Sequence, residues 1–390
     1  MVKKIIHIAL LILISISAKS QNFVSEIDFS SSYKLFKKIN MNYDLIMSDE
    51  GPYISLVFDI NIPDSLLIFR YLTFDSFESP YKDDLWKILE VECESEQCKA
   101  TIDKSLLKGV FWVQVINSYT GESHLFNGIT DINEGIYIKN IKDEVILKDY
   151  LITHEKYRIS LKEKRKQLYV FRYKENFLPS DPPMGRINAV SPSMEPDSVF
   201  NYSPEDEISF SQPGLYLFLT DTIKFTGRAW LVVDNQFPAV NTLYRMRDCM
   251  TYLASEKEWG QLSKTDLTKK EFDQIWVKAS GGTDNAGNMI RTYFRRIRTA
   301  NELFTTYKPG WKTDKGMISI IFGLPDEVSK NNNEEIWSYK AGLSHGNITF
   351  VFKYVPSVFS RNHFALERNK NYKFDWFSSV ERMRTGKEID

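Results

Sequence analysis

Histidine and cysteine are scarce in this chain, which has five His and three Cys among its 390 residues. Four of the histidines lie beyond residue 20 and are scattered singly: His124, His154, His345 and His363. The sequence also lacks the HExxH, GxSxG, Walker A and GxGxxG patterns of zinc proteases, serine hydrolases and nucleotide-binding loops. We therefore predict no cofactor and no metal site, and no nucleophile with an adjacent base can be named.

Long apolar runs are also lacking, apart from one at the N-terminus. Two lysines precede an apolar run over residues 5–17, and small residues at Ala18 and Ser20 occupy the positions that a signal peptidase reads. We predict a signal peptide over residues 1–20, cleaved before Gln21, and no lipid anchor because no Cys stands there. Since no later run of eighteen apolar residues exists, we expect an exported, soluble mature chain with no transmembrane segment and no nucleic-acid partner.

The few cysteines leave one local pairing to consider. Cys93 and Cys98 have four residues between them, close enough for a disulfide in an oxidising compartment, and Cys249 is then left over. Two free thiols are the alternative. The pair alone is weak evidence for a metal site because no matching second pair or nearby His accompanies it.

Net charge is small, at −1 for the whole chain, but the two halves have opposite signs. Residues 21–239 have 23 Lys and Arg against 33 Asp and Glu, or −10, whereas residues 240–390 have 24 against 18, or +6. Opposite signs suit docking of the halves on each other, or an acidic partner for the second half. An ordinary solvated surface is the simpler alternative.

The first mature segment has the pattern of an all-β unit. Apolar residues alternate along residues 53–62, which predicts a strand with one buried face, and further strands are predicted at 110–116 and 124–129. Short strands with turns between them favour an immunoglobulin-like β-sandwich over residues 21–134.

A second β-sandwich unit is predicted over residues 135–238. Its clearest strands are at residues 168–173, 214–220 and 229–234, and we interpret the Pro- and Ser-rich residues 179–204 as a long internal loop. The unit ends at Gln236-Phe237-Pro238, where we place a domain boundary.

Helical patterns follow this boundary. Thr268 and Glu271 have the spacing of a capping box at a helix start. A longer helix is predicted over residues 288–306, because apolar residues recur on one face at Met289, Tyr293, Ile297, Ala300 and Phe304. The arginines of this helix are Arg291, Arg295, Arg296 and Arg298. We interpret them as a solvated face with local ion pairs, and a grip on an anionic partner is the alternative.

The segment Pro309-Gly310-Trp311-Lys312-Thr313-Asp314-Lys315-Gly316, called the central motif below, ends that helix. Residues 317–322 are β-branched and aromatic and are bounded by Gly, so we interpret them as a strand. With strands at 336–339 and 348–354 they predict a three-stranded antiparallel meander packed on the helices. The predicted fold is multidomain and mainly β, with a C-terminal α+β domain over residues 239–390.

Together with Gly323-Leu324-Pro325-Asp326-Glu327 and Glu335-Ile336-Trp337-Ser338-Tyr339, the central motif resembles the GWxTD domain, a bacterial envelope family named for that motif. The resemblance covers roughly residues 240–386. It implies a location in the periplasm or at the outer-membrane periphery of a Gram-negative envelope. It implies no reaction, because the family has no assigned activity.

Seven residues are candidates for binding: Trp311, Lys312, Thr313, Asp314, Asp326, Glu327 and Trp337. We interpret Trp311 as a core side chain, and expect Thr313 and Asp314 to bond their own downstream amides in a turn. Asp326 and Glu327 are expected to do the same after Pro325. A catalytic group of the three acidic residues is disfavoured, because a strand of six residues would hold its ends roughly 20 Å apart.

These observations lead to three functional hypotheses. The first is a non-enzymatic interaction or structural module that docks another envelope protein. The second is an envelope hydrolase that uses the carboxylates of Asp314, Asp326 and Glu327 with His345 or His363. The third is an outer-membrane assembly or secretion accessory factor, based on a weak similarity around Gly323-Leu324-Pro325.

Overall fold

The computed structural model describes residues 23–33, 39–48, 51–60, 66–81, 85–94, 97–106, 109–129, 136–161, 167–174, 177–185, 195–204, 206–223, 225–340 and 346–387. The predicted signal peptide lies outside the described residues, and so does His345. Among the described helices, none has the length and apolar character needed to cross a bilayer.

The first β unit consists of two antiparallel sheets that share one core. Its strands are β1 (Ile39–Ser48), β2 (Gly51–Ile60), β3 (Leu67–Phe74), β4 (Lys87–Ile88), β5 (Glu92–Glu94), β6 (Gln97–Asp103), β7 (Val110–Asn117) and β8 (Ser123–Ile129). The strand orders are β1-β2-β6-β5 and β4-β3-β7-β8. Leu56 and Phe58 of one sheet pack with Phe69 and Val113 of the other. The three strands predicted from the sequence correspond to β2, β7 and β8.

The second β unit is also built from two sheets. Its strands are β9 (Ile136–Asn140), β10 (Tyr150–Ile152), β11 (Lys156–Leu161), β12 (Leu168–Tyr173), β13 (Ser198–Tyr202), β14 (Glu207–Ser209), β15 (Gly214–Asp221) and β16 (Thr226–Val233). The strand orders are β10-β16-β15-β12-β13 and β14-β11-β9. The pairing of β10 with β16 is parallel. Ile138 and Ile159 share a core with Val170, Phe218 and Trp230.

The interpretation of residues 179–204 as loop is wrong in part, because β13 lies within them. Val199 pairs with Phe171, and Phe200 pairs with Val170, in an antiparallel ladder with β12. The Pro- and Ser-rich composition around β13 hid these two strand-forming residues. Both are exposed, as expected at the edge of a sheet.

The C-terminal unit combines helices with a small antiparallel sheet. Its helices are α1 (Leu243–Cys249), α2 (Glu256–Leu262), α3 (Lys269–Ser280), α4 (Thr283–Phe304), α5 (Asp314–Phe322) and α6 (Lys373–Arg384). Its strands, in sheet order, are β17 (Glu327–Lys330), β18 (Glu334–Tyr339), β19 (Ile348–Tyr354) and β20 (Phe364–Leu366). The capping box predicted at Thr268 and Glu271 is confirmed at the start of α3. The long predicted helix is α4, which begins earlier, at Thr283.

The prediction of a strand over residues 317–322 is wrong, because these residues belong to helix α5. Thr313 caps that helix by accepting a hydrogen bond from Gly316 N at 3.0 Å. Residues from Met317 to Ile321 are all buried, and a helix that is buried on every side has no apolar periodicity to reveal it. A short apolar run of this kind does not distinguish a buried helix from a buried strand.

The predicted meander is therefore also corrected. Its strands at 336–339 and 348–354 are present as β18 and β19, but the partner on one side of β18 is β17 and not residues 317–322. β20 adds a fourth strand beside β19. The helix α5 packs among α4, α6 and β20 instead of joining the sheet.

The first β unit and the C-terminal unit share a hydrophobic core. The N-terminal segment, residues 23–33, contributes Val24 and Phe29, and the first β unit contributes Trp112. These side chains belong to one cluster with Trp311 and Trp337. Phe29 N also donates to Val328 O at 2.8 Å, so the N-terminal segment covers the outer edge of β17.

Candidate functional site

The backbone of the central motif makes two close approaches, one to α4 and one between two residues of the motif itself. A Cβ atom at Gly310 would lie 1.8 Å from the carbonyl oxygen of Ala300. A Cβ atom at Gly316 would lie 1.8 Å from the carbonyl oxygen of Gly310. Both positions therefore require glycine, because any other side chain would force the backbone apart.

Asn301 of α4 fixes the start of the motif. Its Oδ1 accepts from Trp311 N at 3.1 Å, and its Nδ2 donates to Pro238 O at 2.9 Å. Thr305 Oγ1 accepts from Gly310 N at 3.0 Å. One helix turn thus satisfies the backbone of the motif and also holds the segment that leaves the second β unit.

The two tryptophans among the candidate residues are both in the core. Trp311 is 6 % exposed and packs edge-on against Tyr252, whose hydroxyl donates to Trp311 O at 3.0 Å. Trp337 is fully buried and contacts Phe304 and Tyr33. Lys312 is half-buried, and its ammonium lies 5.4 Å from the centre of the Trp311 ring.

The carboxylate of Asp314 joins the start of α5 to residues far along the chain. Its Oδ2 accepts from Leu366 N at 2.9 Å, and its Oδ1 accepts from Arg368 Nη2 at 2.6 Å. Arg368 also donates to Asp181 O, at 3.1 Å. The expectation that Asp314 bonds its own downstream amides is wrong, while Thr313 does so as the helix cap. A carboxylate in the first turn is further favoured by the helix dipole.

A second buried ion pair lies beside the motif. Lys315 Nζ donates to Glu335 Oε2 at 2.9 Å, and Lys330 Nζ lies 3.6 Å from the same oxygen. Glu335 Oε1 accepts from the Tyr33 hydroxyl and from Trp337 Nε1. Burial alone would raise the pKa of Glu335, but the two lysines and these hydrogen bonds outweigh it and lower the pKa to about 2. Burial lowers the pKa of Lys315 to about 8, with Glu335 opposing the shift, so the pair is charged at neutral pH.

Asp314 shares no partner with the other two candidate carboxylates, which both bind Lys340. Asp326 and Glu327 are exposed. Asp326 Oδ2 accepts from Lys340 N at 2.7 Å, and Glu327 forms an ion pair with Lys340 Nζ at 2.9 Å. The expectation that these two bond their own downstream amides is therefore wrong. Asp314 lies at the first residue of α5, and Asp326 and Glu327 follow its last residue, with about 13 Å of helix between them.

None of the described histidines forms a hydrogen bond with these carboxylates. His363 packs on the ring of Tyr307, with 5.2 Å between ring centres. Burial and the nearby charge of Lys308 lower the pKa of His363, and the charge of Asp314 opposes the shift. Within the described residues no group of three or more His, Cys, Asp or Glu is arranged to hold a metal ion. Cys93 and Cys98 form a disulfide, with their Cα atoms 4.0 Å apart.

The buried charges that hold this region together were not predicted from the sequence. Arg296, interpreted as part of a solvated face, is buried, and its Nη1 donates to the carbonyl oxygens of Ile320 and Ile321 at 3.1 Å each. It thereby satisfies the last carbonyls of α5. Glu335 and Trp337 are two residues apart on β18, so both lie on its buried face. This spacing could have indicated from the sequence that Glu335 is buried. Arg368 had no local signal, because its partner is 54 residues away.

Comparison with known families supports the interpretation of the motif. The model of the GWxTD domain matches residues 214–385. The match begins at the first residue of β15, so it includes two strands of the second β unit and starts earlier than the resemblance noted in the sequence. Searches of curated proteins and of solved structures found no match. The chain therefore contains a GWxTD domain, which is matched over residues 214–385.

Proposed function

We propose that the protein is an exported envelope protein without enzymatic activity, in which the C-terminal unit, with the central motif, braces two β-sandwich units that dock another envelope protein. This proposal rests on the observation that side chains of the central motif make their contacts within the molecule itself. Thr313 caps a helix, Asp314 is paired with Arg368, and Trp311 is in the core. These side chains therefore stabilise the fold, and recognition falls to other surfaces.

An immunoglobulin-like topology for the β units is part of the proposal, with units at residues 21–134 and 135–238 and the remainder at 239–390. In support, the first unit has strand orders 1-2-6-5 and 4-3-7-8, which match the ABED and C′CFG sheets of such domains. In the second unit the hydroxyl of Tyr216, near the start of β15, donates to Gln212 O at 2.9 Å. This bond has the form of the tyrosine corner of immunoglobulin-like domains. Domains of this class commonly serve at cell surfaces.

The proposed location rests on two features. The N-terminal sequence has the pattern of a signal peptide. Cys93 and Cys98 pair as a disulfide across neighbouring strands, and disulfides persist mainly in oxidising compartments such as the periplasm. Cell fractionation with the native N-terminus tests this directly. Recovery in the cytoplasm of a secretion-competent host would contradict it.

Docking is tested with photo-crosslinking side chains introduced at exposed apolar positions in living cells. Val199 and Ile223 of the second unit and Ile88 of the first unit are suitable, and exposed Thr120 is a polar control. We expect cross-links to one envelope protein from a subset of the apolar positions and none from Thr120. Absence of cross-links at all positions, in protein that is exported and folded, would contradict the proposal.

The hydrolase hypothesis is less favoured because Asp314 is engaged by Arg368 and lies apart from Asp326 and Glu327. It makes an opposite prediction for exposed Glu327. Hydrolysis of an envelope polymer by the purified protein, lost in Glu327→Gln without a change in thermal stability, would replace our proposal with that hypothesis.

A further inference from the structure

One buried carboxylate joins all three units of the molecule. Asp44 of β1 is 0 % exposed and forms ion pairs with Arg228 of β16 and with Arg361, in the segment between β19 and β20. Arg361 Nη1 lies 2.8 Å from Asp44 Oδ1. Arg228 also stacks on the ring of Trp230, at 4.3 Å from its centre. Each unit therefore contributes one charged side chain to the same cluster.

A second carboxylate reaches this cluster. Asp149, which directly precedes β10, lines a small polar cavity of about 10 Å³ together with Arg228 and Arg361. A cavity of this size holds one water molecule at most. Thr306 lines the same cavity, and its Oγ1 is buried without a hydrogen-bond partner among the described residues. Asp44, Asp149, Arg228 and Arg361 are the charged residues that form these ion pairs or line this cavity.

The two carboxylates of this junction differ in the charges that surround them. Asp44 has both guanidinium groups as direct partners, whereas Asp149 is attracted by Arg361 and repelled by Asp44. Burial is the largest effect on Asp149 and raises its pKa to about 6, with Arg361 opposing and Asp44 adding to the shift. At neutral pH the junction therefore contains a carboxylate charge that its surroundings disfavour.

We propose that this junction is a proton-responsive clasp, which holds the three units together more tightly in mildly acidic than in neutral surroundings. Protonation of Asp149 removes a negative charge beside Asp44 and leaves both guanidinium groups to Asp44 alone. When the junction opens, Asp149 is solvated and its pKa returns toward the usual value of about 3.9. Protons then bind the closed form better, so stability gained by protonation is present at low pH and is lost as the pH rises through about 6.

The expected size of the pH effect follows from the pKa of Asp149 in the closed form and in the open form. Between pH 7 and pH 5 the closed junction gains about tenfold over the open one, because the closed form takes up a proton in this range and the open form does not. Acid usually loosens ion-paired junctions by neutralising their carboxylates. This junction is expected to respond in the opposite direction over that range.

Hydrogen exchange of the full chain at pH 5 and pH 7, corrected for intrinsic exchange rates, tests the proposal. Suitable probes are the amides of β10 and of Val355, which donates to His363 O at 2.9 Å in the segment that carries Arg361. In the wild type we expect protection at these amides to rise about tenfold at pH 5. In Asp149→Asn, an isosteric neutral variant, protection should be at the acidic wild-type level at both pH values.

Asp143→Asn is the matched control, because Asp143 is an exposed acidic residue of the same unit, paired with Lys139. It should keep the wild-type response. Equal protection of the wild type at the two pH values, or an unchanged pH response in Asp149→Asn, would overturn the proposal. Loss of folding in Asp149→Asn would also overturn it, since that variant imitates the protonated state.

Discussion

Thr313 and Asp314 are adjacent in the chain but act on different parts of the fold. Thr313 bonds three residues ahead and starts α5, whereas Asp314 bonds Leu366 and Arg368, more than fifty residues away. The local contact was predictable from the sequence, because a Thr before a Gly-containing turn forms such bonds. The distant contact was not, because nothing in the spacing of Asp314 indicates which arginine it meets.

Replacement of Asp314 by Asn tests this distant contact. Asn keeps an acceptor for Leu366 N but removes the charge opposite Arg368, which is largely buried. We expect a loss of roughly 2 to 4 kcal/mol, between the value of one charge-assisted hydrogen bond and that of a broken buried ion pair. Urea unfolding of the full chain measures it. Asp326→Asn, at an exposed site, is the control and should cost less; equal losses would contradict the assigned role.

The pKa of Glu335 gives a second prediction at the residue scale. Its folded-state value of about 2 is below the usual 4.5, so its stabilising contribution is present above about pH 4.5 and is lost as the pH falls toward 2. Glu335→Gln should flatten the acid side of the stability profile. It should also destabilise the protein at pH 7 by about 3 to 5 kcal/mol, because Lys315 keeps a buried charge without an anion. Unfolding free energies from pH 2.5 to 7 check this, and an unchanged slope would argue against it.

At the scale of elements, α5 shows why the sequence was misinterpreted. Helix α4 was predicted correctly because one face is apolar and the other polar, which leaves a period of 3.6 residues. α5 is surrounded on all sides, so its residues 317–322 are almost all apolar and its β-branched residues favoured a strand. The strands of the two sandwich units were easier to predict, since their residues alternate between core and solvent. The edge strand β13 was nevertheless missed.

The glycines of the motif provide a test at this scale. Gly310→Ala and Gly316→Ala should each cost about 3 kcal/mol or more, because the added Cβ meets a backbone oxygen, that of Ala300 in α4 for Gly310 and that of Gly310 for Gly316. Gly260→Ala, in the exposed interior of α2 with open space around it, should stabilise by up to about 1 kcal/mol. Thermal melts of the three variants give the comparison. A tolerated Ala at Gly310 would show that the close approach to Ala300 is not required.

For the whole molecule, the shared core changes the expectation drawn from the sequence. The change from strands to helices near Pro238 suggested that residues 239–390 would fold as a separable unit. That boundary was visible because element types change there. The contacts across it were not, because Val24, Phe29 and Trp112 join the C-terminal core from positions more than 120 residues before the boundary.

We therefore expect the first β unit and the C-terminal unit to unfold together. Calorimetry of the full chain should give one transition for these two units, and the fragment 239–390 should melt lower than the full chain because it lacks Phe29 and Trp112. Phe29→Ala in the full chain should lower the same transition. The shared core would be contradicted if the two units melted in independent transitions and the isolated fragment were as stable as the same residues in the full chain.

The central claim is that the motif braces the fold and takes no part in chemistry, and Trp311→Ala tests it most directly. Calorimetric melting of the full-length variant should show a loss of about 3 to 5 kcal/mol, from lost burial and the cavity left behind, out of a typical total of about 5 to 15. Trp259→Ala, where the ring is 37 % exposed on α2, should lose clearly less. A nearly unchanged melt for Trp311→Ala would contradict the account and return the motif to consideration as a binding or active site.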